Sequence, residues 1–167
     1  MKLSFVPDYY VSKFDDITVD FFKELGIFGI VFDIDNTLEP YENPVPSENL
    51  LAWLGSLKNA GIRCSFVSNN GKERVELFNK ELGYPAFPKA KKPFKKNVIA
   101  AMRAMNTDKN ATVLMGDQIF TDVLAAHNAG IKAILVKPIK DKRDLFTRFK
   151  RLLEKPILKK YEKRKSK

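Results

Sequence analysis

The sequence is poor in the residues that build disulfide frameworks and cysteine–histidine metal sites. Its 167 residues include a single cysteine, Cys64, and a single histidine, His127. One thiol cannot close an internal disulfide, so we expect a reducing, cytoplasmic location. No apolar run approaches the ~20 residues that cross a bilayer, and the start of the chain lacks the layout of a signal peptide. We therefore expect a soluble protein or one that lies on a membrane surface.

Acidic residues are in the minority, with 20 aspartates and glutamates against 30 lysines and arginines. The net charge of +10 is concentrated from Lys89 onward. This excess predicts an anionic partner such as phospholipid, nucleic acid or a phosphorylated substrate, although a lysine-rich source organism would also explain it. The length suits one core. We expect one domain over residues 1–155, with an aromatic-rich start at 1–25 and a basic tail at 156–167.

Hydrophobic periodicity predicts strands and helices that alternate along the chain. Strands are expected at Ile27–Phe32, Ile62–Val67, Thr112–Met115 and Ile131–Val136, with a link at Pro85–Lys92 that contains or replaces another. Helices are expected at about Ser47–Lys58, Lys72–Leu82, from Pro93 onward, at Ile119–Asn128 and at Asp141–Lys155. This alternation is typical of an α/β, Rossmann-like three-layer fold with a parallel central sheet. Residues that follow the strands should meet at one edge, where such sheets bind ligands.

The strongest motif is the run Asp33-Ile34-Asp35-Asn36-Thr37, which follows the first apolar strand. Alternation along an extended chain aims Asp33 and Asp35 the same way. Two carboxylates in one small space repel, which favours a divalent cation or the protonation of one of them. Both outcomes suit phosphoryl transfer, in which one carboxylate attacks phosphorus and the other protonates the leaving oxygen. A capped turn is the alternative interpretation.

Three further motifs follow the later strands. Ser68-Asn69-Asn70-Gly71 offers a hydroxyl and amides at a helix start, which suits a phosphate but is also an ordinary turn. Lys89-Ala90-Lys91-Lys92-Pro93 offers a cation near a helix start, where the helix dipole does not favour one. The run from Gly116 to Asp122 brings two more acids, Asp117 and Asp122, whose alternative role is to cap and stabilise a helix.

Together these motifs resemble those of the haloacid-dehalogenase (HAD) superfamily, whose phosphatases read Asp-x-Asp-x-Thr after a hydrophobic strand. The resemblance implies that Asp33 forms an aspartyl-phosphate and that Asp35 is the general acid and then the base. It also implies Mg²⁺ as cofactor, with three ligands from Asp33, the backbone carbonyl of Asp35 and Asp117. Thr37 is expected to support this site.

The same resemblance assigns the residues that contact phosphate. Ser68 and Asn69 are the candidates after the second strand. The superfamily motif of a lysine followed by a proline favours Lys92 as the phosphate ligand, but it does not exclude Lys91. Asp122 is expected to hold water molecules of the metal or Lys92.

The segments Leu38–Ser47 and Gly71–Lys92 are too short to form the cap domain of larger superfamily members. The whole chain resembles the capless subclass IIIA proteins of the YqeG family, which are similar to the mitochondrial phosphatidylglycerophosphate phosphatases. This narrower resemblance implies that phosphatidylglycerophosphate is dephosphorylated to phosphatidylglycerol, with an anionic phospholipid as partner. The location would then be cytoplasmic or peripheral on the inner face of the membrane.

Two other functions stay open. One is a soluble phosphatase that acts on a sugar, nucleotide or nucleic-acid phosphate. The other is a basic RNA- or ribosome-binding module with a vestigial site, against which the intact set of acids weighs. The oligomeric state is open as well.

Several conspicuous residues are expected to be structural: His127, Cys64 and Trp53. Near the end of the chain an apolar stripe at helical spacing is surrounded by lysines and arginines. It consists of Leu145, Phe146, Phe149, Leu152 and Leu153. This stripe either covers the sheet or lies in a bilayer interface.

Overall fold

A six-stranded parallel sheet forms the middle layer of the part of the chain that is described. The computed structural model describes residues 4–140 and 145–165, and of residues 145–151 the backbone alone. The strand order is β1-β6-β5-β2-β3-β4. The strands are β1 (Tyr9–Val11), β2 (Gly29–Phe32), β3 (Arg63–Val67), β4 (Ala86–Phe87), β5 (Thr112–Gly116) and β6 (Lys132–Val136). The predicted α/β fold with a parallel central sheet is confirmed.

Helices cover both faces of the sheet. They are α1 (Val19–Glu24), α2 (Glu48–Asn59), α3 (Lys72–Asn79), α4 (Lys96–Ala104), α5 (Leu124–Ala129) and α6 (Leu145–Lys165). A short 3₁₀ turn at Phe14–Asp16 precedes α1, and a wide π-type turn at Ile119–Val123 leads into α5. Alternation along β2 sends Ile30 and Phe32 into the core under α1 to α3, and Val31 into the core under α4 and α5.

Helix α2 shows why the predicted helices form where they do. The Ser47 hydroxyl accepts a hydrogen bond from the Leu50 amide at 3.4 Å and so caps the helix. Leu50, Leu54 and Leu57 lie one turn apart and are fully buried. Gly61 follows the helix with a φ of 78°, a conformation in which an L side chain would be strained.

The predicted start of α4 at Pro93 was wrong. The helix begins at Lys96, because residues 91–94 form a turn in which the Phe94 amide donates to the Lys91 carbonyl at 3.0 Å. The helix packs on the core through Val98 and Met102, which lie four residues apart and are buried.

The aromatic-rich start of the chain contains a strand that sequence analysis did not assign. Strand β1 pairs in parallel with β6, with Tyr9 opposite Ile134. Residues 4–8, which precede β1, contact α5 through His127. The ring nitrogens of His127 lie 2.6 Å from the Ser4 carbonyl oxygen and 3.0 Å from Asp8 Oδ2. With three residues, β1 is too short to show a period of two.

The predicted end of the last helix at Lys155 was also wrong. Helix α6 runs through Pro156 to Lys165, so most of the expected basic tail is helical. Ile157 and Leu158 pack partly buried against the α4–α5 side of the core, and the Tyr161 hydroxyl accepts a hydrogen bond from the Tyr10 amide at 3.1 Å.

The apolar stripe predicted for this helix is described only in part. Leu152 and Leu153 are exposed, while the side chains of Leu145, Phe146 and Phe149 and the predicted start at Asp141 lie outside the described residues. Among the described helices none is both long and apolar enough to cross a bilayer.

Candidate active site

The carboxyl edge of the four adjacent strands β5, β2, β3 and β4 gathers the residues that the motifs predicted. Asp33 follows β2, Ser68 follows β3, Lys92 follows β4 and Asp117 follows β5. All four are buried, with at most 7% of their surface exposed. Three of the four are ionisable, and buried ionisable side chains are uncommon unless they are paired or functional.

Lys92 lies between two of the acids. Its Nζ is 2.6 Å from Asp33 Oδ1 and 2.6 Å from Asp122 Oδ1, and each of the three side chains is at most 9% exposed. Burial acts to lower the pKa of Lys92, but the carboxylates of Asp122 and Asp33 outweigh that effect and raise it. Lys92 is therefore a permanent positive charge at the edge of the sheet, whereas its neighbour Lys91 is exposed.

The position of Asp122 depends on a glycine. Asp122 Oδ2 accepts a hydrogen bond from the Gln118 amide at 3.0 Å, which turns the carboxylate back towards the end of β5. A Cβ atom on Gly116 would overlap the side chain of Asp122. Glycine at position 116 is therefore required for Asp122 to reach Lys92.

Thr37 connects Asp33 and Asp117. Its hydroxyl oxygen lies 3.3 Å from Asp33 Oδ2 and 3.3 Å from Asp117 Oδ1, and it can donate to one of them at a time. Carboxylate oxygens of Asp33, Asp117 and Asp122 all lie within 4.8 Å of one another. This closeness brings three carboxyl groups into a buried space with one lysine.

The donor set fits a magnesium ion. Mg²⁺ prefers oxygen ligands and usually keeps several waters. Carboxylate oxygens of Asp33 and Asp117 lie within 4.8 Å of each other, with the Thr37 hydroxyl between them. Lys92 contacts one oxygen of Asp33 and one of Asp122, and the second oxygen of Asp122 accepts from the Gln118 amide. Burial raises the pKa of Asp33 although Lys92 acts to lower it. A second cation beside Asp33 would favour its ionised, nucleophilic form.

Asp35 is held by two residues that sequence analysis did not select. Arg74 Nε and Nη2 lie 3.1 and 3.0 Å from Asp35 Oδ1, and Asn70 Nδ2 donates to Asp35 Oδ2 at 3.0 Å. Arg74 is itself fixed, because its Nη1 donates to the Pro44 carbonyl at 3.1 Å and its guanidinium lies 5.2 Å from the Phe78 ring centre. The side chain of Arg74 is 12% exposed. These contacts set the direction of the Asp35 carboxylate.

Arg74 left no signal in the sequence. It lies in the first turn of a helix rich in charged residues, where a solvated side chain is the usual expectation. Asn70 could have been predicted as a site residue, because it follows the end of β3 in the same turn as Ser68 and Asn69.

The loop after β3 binds the loop after β4. Asn69 Oδ1 accepts from the Lys92 amide at 2.7 Å, and Asn69 Nδ2 donates to the Lys92 carbonyl at 3.3 Å. Ser68 Oγ accepts from the Asn70 amide at 3.1 Å. Asn69 therefore fixes the backbone of Lys92, and its contact with substrate stays a prediction, as does that of Ser68.

The residues expected to be structural lie away from this edge or inside the core. His127 contacts the segment before β1 through the Ser4 carbonyl and Asp8. Cys64 is buried in β3, where desolvation raises the pKa of its thiol to about 12. Trp53 packs against Phe14 and Phe32, and its Nε1 donates to the Ile17 carbonyl at 3.0 Å.

Comparison with known proteins places this arrangement in a family. A family model described as HAD-hydrolase-like matches residues 89–150. The Bacillus subtilis (strain 168) protein named "Probable phosphatase YqeG" is 39% identical over 158 residues, which are 95% of this chain and 92% of that protein.

Two solved structures share the fold at low identity. CbbY from Rhodobacter sphaeroides, in complex with phosphate, has 16% identity and a TM-score of 0.52, covering 70% of this chain and 88% of its own. The 3-deoxy-D-manno-octulosonate 8-phosphate phosphatase from Moraxella catarrhalis, with magnesium, phosphate and its sugar, has 15% identity and a TM-score of 0.53, covering 90% and 98%.

A parallel sheet with these acids at its carboxyl edge, together with the matching family model, defines a HAD-type hydrolase. The chain belongs to the YqeG family of HAD-type phosphatases. The expected superfamily, family and enzyme class are thereby confirmed.

Proposed function

We propose that this phosphatase removes the terminal phosphate of phosphatidylglycerophosphate through a covalent intermediate on Asp33, with Mg²⁺ as cofactor. The observation that supports the covalent mechanism is the contact of Lys92 with Asp33 and Asp122. It places a buried, permanently charged ammonium 2.6 Å from the proposed nucleophile, where a transferring phosphoryl group would also lie.

In the first step an Asp33 carboxylate oxygen attacks phosphorus, and the bond between phosphorus and the leaving oxygen breaks. Asp35, as a carboxylic acid, gives its proton to that oxygen. In the second step water attacks the phosphorus of the aspartyl-phosphate, Asp35 takes a proton from the water, and the Asp33 carboxylate leaves. Lys92 stabilises the negative charge of the phosphoryl oxygens in both steps.

Asp33, Asp117 and the carbonyl of Asp35 would hold Mg²⁺, whose charge neutralises phosphate so that an anionic carboxylate can approach it. The hydroxyl of Thr37 supports this arrangement from between Asp33 and Asp117. Ser68 would contact a phosphate oxygen from the end of β3.

The choice of a lipid substrate rests on the opening of the site. The segment between Asp35 and α2 is a loop closed on itself, because the Glu39 carboxylate accepts from the Ser47 amide at 2.9 Å and from Asn43 Nδ2 at 2.8 Å. Between β3 and β4 lies the single helix α3. No cap domain covers the site within the described residues, so a phosphate carried on a large or surface-bound molecule can reach it.

The deciding experiment measures phosphate release from phosphatidylglycerophosphate in mixed micelles, from sugar phosphates and from nucleotides, with and without Mg²⁺. We expect Mg²⁺-dependent hydrolysis with a preference for the lipid. Asp33→Asn serves as the inactive variant, and Asp20→Asn, an exposed carboxylate on α1, is the matched control.

Other outcomes assign other functions. Preference for a sugar phosphate or nucleotide would overturn the lipid assignment and leave a soluble phosphatase. Absence of turnover on every ester, combined with binding to RNA or ribosomes, would instead indicate a binding module with a vestigial site.

A further inference from the structure

Exposed apolar side chains occur at the same edge of the sheet as the active site. They lie on the loops that follow β2, β4 and β6, all at the carboxyl edge of the sheet. Phe94 is 70% exposed, and the other three are between 44% and 53% exposed. We call these four the apolar rim: Tyr41, Val45, Phe94 and Ile139.

The loops that carry the rim are attached to the catalytic residues. Phe94 lies two residues after the buried Lys92, in a turn closed by the hydrogen bond between its amide and the Lys91 carbonyl. The Ile139 amide donates to the carbonyl of Asn36, next to Asp35, at 3.1 Å. The rim residues Phe94 and Ile139 therefore lie on segments joined to residues of the site.

Two side-chain contacts join the loop that carries Tyr41 and Val45 to its neighbours. Lys140 Nζ lies 3.3 Å from Glu42 Oε1, and Arg74 Nη1 donates to the Pro44 carbonyl. These contacts connect the loop to the segment after β6 and to α3.

Lysines accompany the rim on the same loops and at the first residue of α4. Six are exposed: Lys89, Lys91, Lys95, Lys96, Lys137 and Lys140. No acidic residue occurs between Leu82 and Thr107. Exposed acids at this edge include Glu42, which pairs with Lys140, and Glu48 and Glu73 at the starts of α2 and α3. Positive charge therefore dominates around Phe94.

We infer that the apolar rim and its lysines dock the active site onto an anionic phospholipid bilayer. Exposed aromatic and aliphatic side chains enter the boundary between headgroups and acyl chains, and lysines beside them attract anionic headgroups. This inference rests on the proposed function for its substrate, because docking at this edge brings a lipid phosphate to the site without removing the lipid from the membrane.

The chemistry of the rim favours a bilayer over the other anionic partners. A nucleic acid would be contacted mainly by the lysines, and the half-exposed Val45 and Ile139 would add little to phosphate contacts. In a bilayer interface the same aliphatic side chains leave water, so they contribute to binding together with the lysines.

The first experiment measures binding to sedimented vesicles of phosphatidylcholine with and without phosphatidylglycerol. Phe94→Ser should weaken binding to the anionic vesicles about tenfold, since a large apolar side chain no longer leaves water. Phe28→Ser is the matched control, because Phe28 is 52% exposed and lies just before β2 at the opposite edge of the sheet. It should bind as the unchanged protein does.

The second experiment separates charge from apolar contact. Lys95→Glu combined with Lys96→Glu should abolish most of the preference for anionic vesicles. The difference in binding between this variant and the unchanged protein should become smaller at high salt. Lys58→Glu combined with Lys109→Glu makes the same change of net charge at the opposite edge, and should have a smaller effect. The loss from Phe94→Ser should persist at high salt.

The outcomes distinguish this inference from the proposed function. Equal losses for Phe94→Ser and Phe28→Ser, or for the two lysine pairs, would overturn the docking surface even if micellar lipid were hydrolysed. Rim-dependent binding to RNA without vesicle binding would overturn it in favour of a nucleic-acid surface. Rim-dependent vesicle binding supports it, and failure to hydrolyse the lipid in micelles would then count against the proposed substrate alone.

Discussion

Replacing Arg74 with alanine tests whether the direction of the Asp35 carboxylate matters for catalysis. Arg74 makes two contacts of 3.0 and 3.1 Å to a single oxygen of Asp35 and reaches no other acid among the contacts described. Without it, Asn70 alone would hold Asp35, through the other oxygen. We expect Asp35 to rotate and to transfer its proton less efficiently, while Asp33, Lys92 and the metal ligands stay in place.

The magnitude follows from the type of contact. A hydrogen bond to a charged group contributes about 1.5–3 kcal/mol, which corresponds to roughly 10- to 150-fold in rate. Both partners are mostly buried, at 12% and 18% exposure, so solvent screening removes little of this effect. Because Asn70 still restrains the carboxylate, we expect a fall in kcat of about 10- to 50-fold on a demanding substrate.

The assay compares two soluble phosphate esters. An alkyl phosphate needs a proton on its leaving oxygen, whereas p-nitrophenolate leaves readily without one. Arg74→Ala should therefore lower kcat more on the alkyl ester than on p-nitrophenyl phosphate, with Arg74→Lys intermediate. Arg103→Ala, an exposed arginine on α4, is the matched control and should change neither rate.

Two results would contradict this reasoning. An equal loss on both esters would mean that Arg74 acts on phosphate binding or on the fold rather than on proton transfer. Unchanged kcat on the alkyl ester, with the melting temperature preserved, would mean that Asn70 is sufficient to position Asp35.

Four further changes test the site and its surroundings. Asp33→Asn should abolish turnover without unfolding the protein, because an amide does not attack phosphorus. Asp117→Ala should raise the Mg²⁺ concentration for half-maximal activity before it changes any other property. Gly116→Ala should lower kcat by about 10-fold or more, since its Cβ would displace Asp122 and so release Lys92. The pKa of His127 is raised by its hydrogen bond to Asp8, so protonated His127 stabilises the folded protein. Replacing His127 with glutamine should therefore lower the free energy of unfolding most below about pH 6.5. The loss should become smaller as pH rises through the raised pKa of the folded state.

Each of these predictions has its own contrary result. Near-normal turnover by Asp33→Asn would exclude the covalent mechanism, and an unchanged metal requirement in Asp117→Ala would exclude that ligand. Full activity in Gly116→Ala would show that Asp122 can move without loss, with Gly55→Ala on α2, where a Cβ meets nothing, as control. For His127, urea unfolding at about pH 5.5 and 8.5 should show the larger deficit at the lower pH, and an equal deficit would contradict the sign.

How far the sequence predicts the structure depends on whether a residue's partners are near in sequence. The strand before Asp33 and the helix after Ser47 follow from local patterns, namely an apolar run and a cap followed by leucines at helical spacing. The helix after Lys92 was placed too early, because a proline that ends a loop and one that begins a helix look alike in sequence.

The part that could not be predicted depends on contacts between distant residues. Arg74 meets Asp35 across 39 positions, and Tyr161 meets Tyr10 across 151. Helix α6 continues beyond Lys155 because residues near its end pack on the first strand and the core, which no local propensity records. Long-range packing of this kind decides where an element ends even when its existence is clear from sequence.

The buried charges at the site are arranged so that removing one affects the others. Asp33 and Asp122 together hold Lys92 charged, and Lys92 in turn compensates two buried carboxylates. Gly116 permits this contact from β5, and Asn69 fixes the backbone of Lys92 from the loop after β3. Residues at the ends of four strands thus hold this group of buried charges together. Substitutions of these residues should therefore have non-additive effects on activity. A double-mutant cycle on Lys92 and Asp122 should therefore show a coupling energy well above the roughly 0.5 kcal/mol that independent sites allow.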